Sequence, residues 1–160
     1  MKLSLLRKSI LAGMLTAPIA ASASDLVVVH PATEPPVYID FDPKGTDSPG
    51  DVRIFHFDGK TRDGKPVVMD WIMTTTAQDT VEGANSRVTE GIFSFGENHT
   101  NQVIIQGVGF YSNEANTFKP ASTLSRAIAG GTGKYAGVRG VVTSTHQADG
   151  SWVHEFDLAD

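Results

Sequence analysis

Short β-forming runs separated by turn signals are the feature that most limits what this chain can fold into. Runs rich in Val, Ile, Thr and aromatic residues are bounded by glycine-containing pairs such as Asp58-Gly59 and Asp63-Gly64. No window repeats apolar residues with the period of an amphipathic helix, whereas alternation with period two is clear in several runs. The pattern therefore predicts an all-β domain.

The runs that predict strands are distributed along most of the chain. They span 37–41, 52–57, 66–76, 87–95, 103–110, 124–129, 135–145 and 152–158. Short turns between successive strands favour antiparallel hairpins, and closure of the sheet removes its exposed edges. We predict an eight-stranded antiparallel closed β-barrel. Residues 24–50 would form an extended N-terminal segment with the first strand, and residues 51–160 the rest of this single domain.

The N-terminus has the features of a cleavable signal peptide over residues 1–23. Lys2, Arg7 and Lys8 precede a short apolar run, and small residues precede Ser24. The run is too short to span a bilayer, so we expect export to the periplasm or the medium without membrane attachment after cleavage. The alternative is an amphipathic N-terminal helix that belongs to the domain.

Composition excludes several classes of function. The net charge is −5 and becomes more negative once the basic signal is removed, so nucleic acid is not an expected partner. The chain has no cysteine, which excludes disulfides, thiolate metal sites and a cysteine nucleophile. The histidines lack metal-ligand spacing, and no phosphate-loop motif is present because Ile128 and Tyr135 occupy required positions. We predict neither a metal nor a cofactor.

A few polar residues lie on apolar strand faces, which is where a ligand-binding barrel needs them. His154 lies between Trp152 and Phe156 on one face of the last run, while Trp71 and Met73 share a face of another. Small-molecule sites combine a mostly apolar lining with a few converging polar groups. We therefore predict ligand contacts from the four apolar residues and acid–base chemistry from His154.

The part of the chain from 87 to 158 resembles the allene oxide cyclase and dirigent superfamily of barrels. The residues that carry the resemblance are IFSF at 92–95, VIIQG at 103–107 and the hairpin GGTGKYAGVRG at 130–140, with Tyr135 in its aromatic position. The resemblance implies an exported bacterial-type member with an eight-stranded barrel, an apolar cavity, and assembly into a dimer or trimer.

The resemblance also implies a reaction that steers a small hydrophobic or phenolic molecule through cyclisation or isomerisation. Asp40 matches the acidic residue of the cyclases' first strand and joins His154 as a candidate catalytic residue. Met73 or Thr74 stands at the cyclases' cysteine position, and Ser125 at the dirigents' acidic position.

Three functions stay open on these grounds. The first is an isomerase-like barrel that uses Asp40 or His154 as acid or base. The second is a non-catalytic carrier of a hydrophobic compound, which needs the same cavity. The third is a structural or interaction barrel whose interior is filled by its own side chains. The volume and lining of the interior cavity discriminate among them.

Overall fold

The structure is a computed structural model that describes residues 26–32, 34–42, 47–80, 83–112 and 115–159. The signal peptide expected over residues 1–23 lies outside these residues, and export stays a prediction. Within the described ranges, no helix has the length and the apolarity needed to cross a membrane. The helical structure in these ranges is one 3₁₀ turn at Gly133–Tyr135.

Nine strands make up the sheet. They are β1 (Leu26–His30), β2 (Val37–Ile39), β3 (Val52–Thr61), β4 (Pro66–Ala77), β5 (Ala84–Phe95), β6 (Asn101–Ser112), β7 (Ser122–Gly131), β8 (Arg139–His146) and β9 (Trp152–Ala159). Every strand from β3 to β8 pairs antiparallel with the next along the chain.

Closure of the ring confirms the predicted eight-stranded barrel. β1 pairs with β9 on one side and with β3 on the other. β1 and the seven strands from β3 through β9 therefore form a closed ring of eight. β2 pairs only with β3 and is not part of this ring. The prediction that the segment 37–41 supplies a strand of the ring is therefore wrong. The closing strand comes from the continuous apolar run at Leu26, which lacks the alternation that identifies a strand.

β3 continues through the Asp58-Gly59 pair that predicts a turn. Gly59 pairs with Val67 of β4, and the ladder continues to the pair Lys60–Pro66. A Cβ on Gly59 would lie 2.9 Å from the carbonyl oxygen of Val29 on β1. This glycine is needed for the close approach of β1 and β3 where the ring closes, rather than for a turn.

The seam between β1 and β3 is short and leaves part of β3 without a strand neighbour. The two strands share the pairs Val28–Thr61 and Val29–Lys60, while β2 pairs only with the first three residues of β3. Residues 55–59 therefore have no strand partner on this edge among the described residues. We call this stretch the slit, and it interrupts the pairing along one edge of β3.

Apolar side chains fill much of the barrel interior. The buried core residues include Val28, Phe55, Val67, Met69, Trp71, Met73, Phe93, Phe95, Val103, Ile105, Tyr111, Ile128, Val142 and Phe156. They come from all eight ring strands, and they follow the inward positions of each pleat. The interior is thus a packed core along most of its length rather than an open channel.

A buried charge cluster lies at the end of the barrel where β3 and β5 begin. The Asp47 carboxylate accepts hydrogen bonds from Arg53 Nη1 at 3.0 Å, Arg87 Nη2 at 2.7 Å, Thr75 Oγ1 at 2.8 Å and Asn85 Nδ2 at 2.8 Å. Burial by itself raises the pKa of Asp47, but these donors, Arg87 first, bring that pKa down to about 2. Asp47 is therefore ionised at neutral pH.

Candidate functional site

A cavity of about 30 Å³ lies inside the barrel next to the slit. Its lining consists of His30, Phe55, Phe57, Trp71, Met73, Thr117, Trp152 and His154. A volume of this size has room for about two water molecules. Four of the residues predicted from sequence, namely Trp71, Met73, Trp152 and His154, contribute to this lining.

The other two predicted residues lie elsewhere. Phe156 is buried but packs deeper in the core, with its ring centroid 4.9 Å from that of Phe93. Asp40 is exposed and follows β2, outside the ring, where its Oδ1 accepts a hydrogen bond from the backbone N–H of Asp42. The structure does not bring Asp40 to His154, because residues of β2 do not face the barrel interior.

His154 meets a second histidine that sequence reasoning did not single out. His30 Nε2 lies 3.1 Å from His154 Nε2, and both side chains are buried. His30 is the last residue of β1, and His154 lies in β9, two positions along the β1–β9 ladder. The sequence pattern does not reveal this pair, because the two histidines come together only when β1 pairs with β9, which is distant along the chain.

The hydrogen bonds around this pair determine the tautomer of each ring. His30 Nδ1 lies 2.7 Å from the carbonyl oxygen of Pro31, which can only accept, so Nδ1 carries the proton. In the neutral ring, His30 Nε2 then holds a lone pair and accepts from His154 Nε2–H. His154 Nδ1 in turn accepts from the Ser144 hydroxyl at 2.8 Å.

Both imidazoles are neutral near pH 7. Burial is the main cause that lowers the pKa of His30 to about 4, and a hydrogen bond to Pro31 opposes it. Burial, then the neighbouring His30 and Arg126, hold the pKa of His154 well below its ordinary value. The two Nε2 atoms therefore present one lone pair and one N–H side by side. Among the described residues, no group of three or more His, Cys, Asp or Glu side chains is placed to hold a metal.

Aromatic rings surround the pair and close the cavity on one side. Trp152 stacks on His146 with ring centroids 4.3 Å apart, and the Phe118 ring contacts Trp152 edge-on at 4.7 Å. His146 Nδ1 also lies 2.7 Å from the carbonyl oxygen of Phe118. These contacts fix Phe118 and with it the neighbouring Thr117, which lines the cavity.

A larger groove of about 470 Å³ adjoins the cavity along the slit. It shares His30, Phe55 and Phe57 with the cavity lining. Its other walls come from both faces of β3 and from the segment between β1 and β2, and consist of Pro31, Ala32, Glu34, Pro35, Val37, Ile54, His56 and Asp58. The groove falls within the usual size of small-molecule sites, whereas the cavity alone is far smaller.

Comparison with solved structures supports the fold and leaves the family open. The chain is similar to a pyocyanin demethylase with a TM-score of 0.62 and 18% sequence identity, over 84% of this chain and 98% of that one. No protein-family model and no curated protein matches the sequence. A likeness at this identity shows a shared barrel fold, while the resemblance to allene oxide cyclases stays an expectation.

Proposed function

We propose that this protein binds a small aromatic or phenolic molecule in the groove and isomerises it by proton transfer at the His30–His154 pair. The observation that carries the proposal is the pair of neutral imidazoles at the cavity wall, with complementary Nε2 atoms 3.1 Å apart. A base and a hydrogen-bond donor held together in this way are what a tautomerisation needs.

The ligand body fits the groove and its polar end fits the cavity. The groove and the cavity share His30, Phe55 and Phe57, so a ligand that lies in the groove and reaches past these side chains would place its polar end in the cavity. A ligand oxygen that enters the cavity would replace the mutual hydrogen bond of the two histidines. His154 Nε2–H then donates to this oxygen, and His30 Nε2 becomes free to accept a proton.

The reaction is balanced without a cofactor or a redox partner. His30 Nε2 removes a proton from the carbon beside a ligand carbonyl group. The electron pair of the C–H bond forms a C=C bond, and the π electrons of the carbonyl group move onto its oxygen. The N–H of His154 stabilises this oxyanion by a hydrogen bond without leaving its ring. The imidazolium of His30 then returns the proton to a different ligand atom, which completes an isomerisation.

The structural neighbour supports an enzymatic role in a limited way. A barrel of the same fold is named as a pyocyanin demethylase, so this fold accommodates an enzyme. Demethylation itself is not carried over, because the shared identity is 18%. A carrier is the second candidate, since the groove is present whether or not the histidines transfer protons.

Hydrogen–deuterium exchange on a test compound distinguishes these functions. Phenylpyruvate carries an aromatic ring and acidic C–H bonds beside a carbonyl group, and its exchange in D₂O is followed by NMR. We expect the wild-type protein to accelerate exchange, and His30→Asn to lower the rate by about 100-fold because the imidazole base is lost. His99→Asn, an exposed histidine in a turn, is the matched control and should retain the rate.

The outcomes separate the candidates. Binding of phenylpyruvate without accelerated exchange in the wild-type protein would support the carrier and overturn the isomerase. Exchange that persists unchanged in His30→Asn would show that the pair is not the base. Absence of binding, measured by tryptophan fluorescence of Trp71 and Trp152, would reject the groove as a site for such molecules.

A further inference from the structure

Arg126 is a buried cation that has no carboxylate partner in the described part of the chain. It lies on β7 with 2% of its surface exposed. Its Nη2 donates to the Tyr111 hydroxyl at 2.7 Å, and the guanidinium lies over the Trp71 ring, 5.1 Å from the centroid. Burial lowers the pKa of Arg126, but an arginine starts so far above neutrality that it stays charged at pH 7.

The other buried charges do not compensate it. Five charged side chains of Asp or Arg are buried among the described residues, namely Asp47, Asp51, Arg53, Arg87 and Arg126. Asp47 pairs with Arg53 and Arg87, while Asp51 accepts from the Tyr38 hydroxyl and from backbone N–H groups. The three buried arginines and two buried aspartates therefore leave one net positive charge in the interior. An uncompensated charge lowers stability in a low-dielectric core.

This charge acts on the cavity through Trp71. Arg126 covers a face of Trp71, which itself lines the cavity, and the Trp71 and His154 ring centroids lie 5.6 Å apart. None of the eight lining residues is a carboxylate. Within the cavity lining, the positive charge of Arg126 behind Trp71 is therefore not opposed by a carboxylate.

The interior also has more buried N–H groups than acceptors for them. Arg126 Nε, Arg126 Nη1 and Trp71 Nε1 are buried and have no hydrogen-bond partner in the described structure. Ordered water supplies such partners in many proteins. Water does not remove the unbalanced charge, whereas an anionic ligand in the cavity would offset it across the Trp71 ring.

We propose that the ligand of this barrel is a small aromatic anion, and that Arg126 selects it by charge. The inference rests on the proposed function and narrows its substrate class to aromatic carboxylates and phenolates. The cavity of about 30 Å³ has room only for the polar end of such a ligand. The aromatic ring would remain in the adjoining groove of about 470 Å³.

An anion in the cavity would also make His30 a stronger base. The low pKa of His30 arises mainly from burial, which disfavours its charged form. A negative charge beside the ring favours the imidazolium and raises the pKa towards neutrality. Ligand charge and proton transfer are therefore coupled in this site.

Two probes of similar shape and different charge test the inference. Benzoate and benzyl alcohol share the aromatic ring, and only benzoate is anionic at pH 7. Isothermal titration calorimetry is expected to show about tenfold tighter binding of benzoate to the wild-type protein. In Arg126→Met this preference should disappear while the affinity for benzyl alcohol is retained, and Arg126→Lys should keep part of it. Arg62→Met, which removes an exposed arginine, is the control for net charge.

Each outcome bears on one of the two proposals. Equal affinity of the wild-type protein for both probes would overturn the role of Arg126 and leave an apolar binding site in place. Binding of neither probe would overturn the proposed function itself. If Arg126→Met fails to fold, the preference of the wild-type protein and its reduction in Arg126→Lys still decide the question. A preference that persists in Arg126→Met would also contradict the inference.

Discussion

At the scale of single residues, Asp47 holds together the charged end of the barrel. Its two oxygens accept from side chains on β3, β4 and β5, so one carboxylate fixes three neighbouring strands to the loop that precedes them. Arg53 and Arg87 both depend on it for charge compensation. The hydrogen bonds and the ion pairs at this end are therefore one cooperative unit.

Asp47→Asn is expected to lower the free energy of unfolding by about 3 kcal/mol, because it leaves two buried guanidinium groups without a counter-charge. Urea denaturation at pH 7 measures the change. Asp63→Asn is the control, since Asp63 forms an exposed ion pair with Lys65 and its loss should have no measurable effect. Similar stability of the two variants would show that the buried pairs contribute little.

At the scale of elements, the glycine-rich hairpin that carries the family resemblance has a clear steric role. It joins the end of β7 through the 3₁₀ turn to β8, and the Tyr135 ring packs on Phe95 with centroids 5.1 Å apart. A Cβ on Gly131 would lie 2.6 Å from the Tyr135 carbonyl oxygen and would also meet the carbonyl of Gln102. A side chain at position 131 therefore requires the backbone to move.

Gly131→Ala is expected to destabilise the barrel by about 1–3 kcal/mol through this overpacking. Gly130→Ala is the matched control, because a Cβ at position 130 would meet only the flexible end of the Arg139 side chain, at 3.3 Å. Thermal unfolding followed by circular dichroism compares the two variants. Equal melting temperatures would indicate that the hairpin backbone adapts at little cost.

Strand faces were predictable from the sequence, while contacts between distant strands were not. Alternation with period two placed Trp71 and Met73 on one inward face, and Trp152 and His154 on another, because the pleat determines which side chains share a face. The partner of His154 depends on which strands meet at the seam, and neither propensity nor local pattern encodes that choice.

The same limit applies to the charged residues and to β1. Arg126 lies on a strand whose alternation is weak, so its burial follows from the register between β6, β7 and β8 rather than from its neighbours in sequence. The apolar run of β1 has no alternation, because Val27 is buried as well as Val28. A continuous apolar run predicts burial but does not identify a strand or its partners.

At the scale of the whole molecule, the buried histidines make stability depend on pH. His30 has a pKa of 6.5 in the unfolded chain and about 4 in the folded protein, so the unfolded state binds more protons between these values. Stability is then complete above pH 6.5 and falls as the pH drops towards 4. Burial of His154 acts in the same direction.

We expect the free energy of unfolding to fall by about 3 kcal/mol between pH 7 and pH 4 on account of His30. Urea denaturation across this range measures the loss, and His30→Asn should flatten the profile. Asp47 contributes at lower pH, since its stabilisation is present above pH 3.8 and is lost as the pH falls towards 2. A wild-type profile that is flat from pH 7 to pH 4 would contradict the burial of neutral histidines.

Closure of the ring at β1 has a consequence for the order of folding. β1 pairs with β9, the last strand of the chain, and with β3 through only two residue pairs. Contacts between residues so far apart in sequence form slowly, because the entropy of closing a long loop opposes them. His30 lies in β1 and His154 in β9, so the two histidines are brought together by the same event that completes the barrel. A partly folded chain therefore lacks the proposed site, and under the proposed function its activity would report the last step of folding.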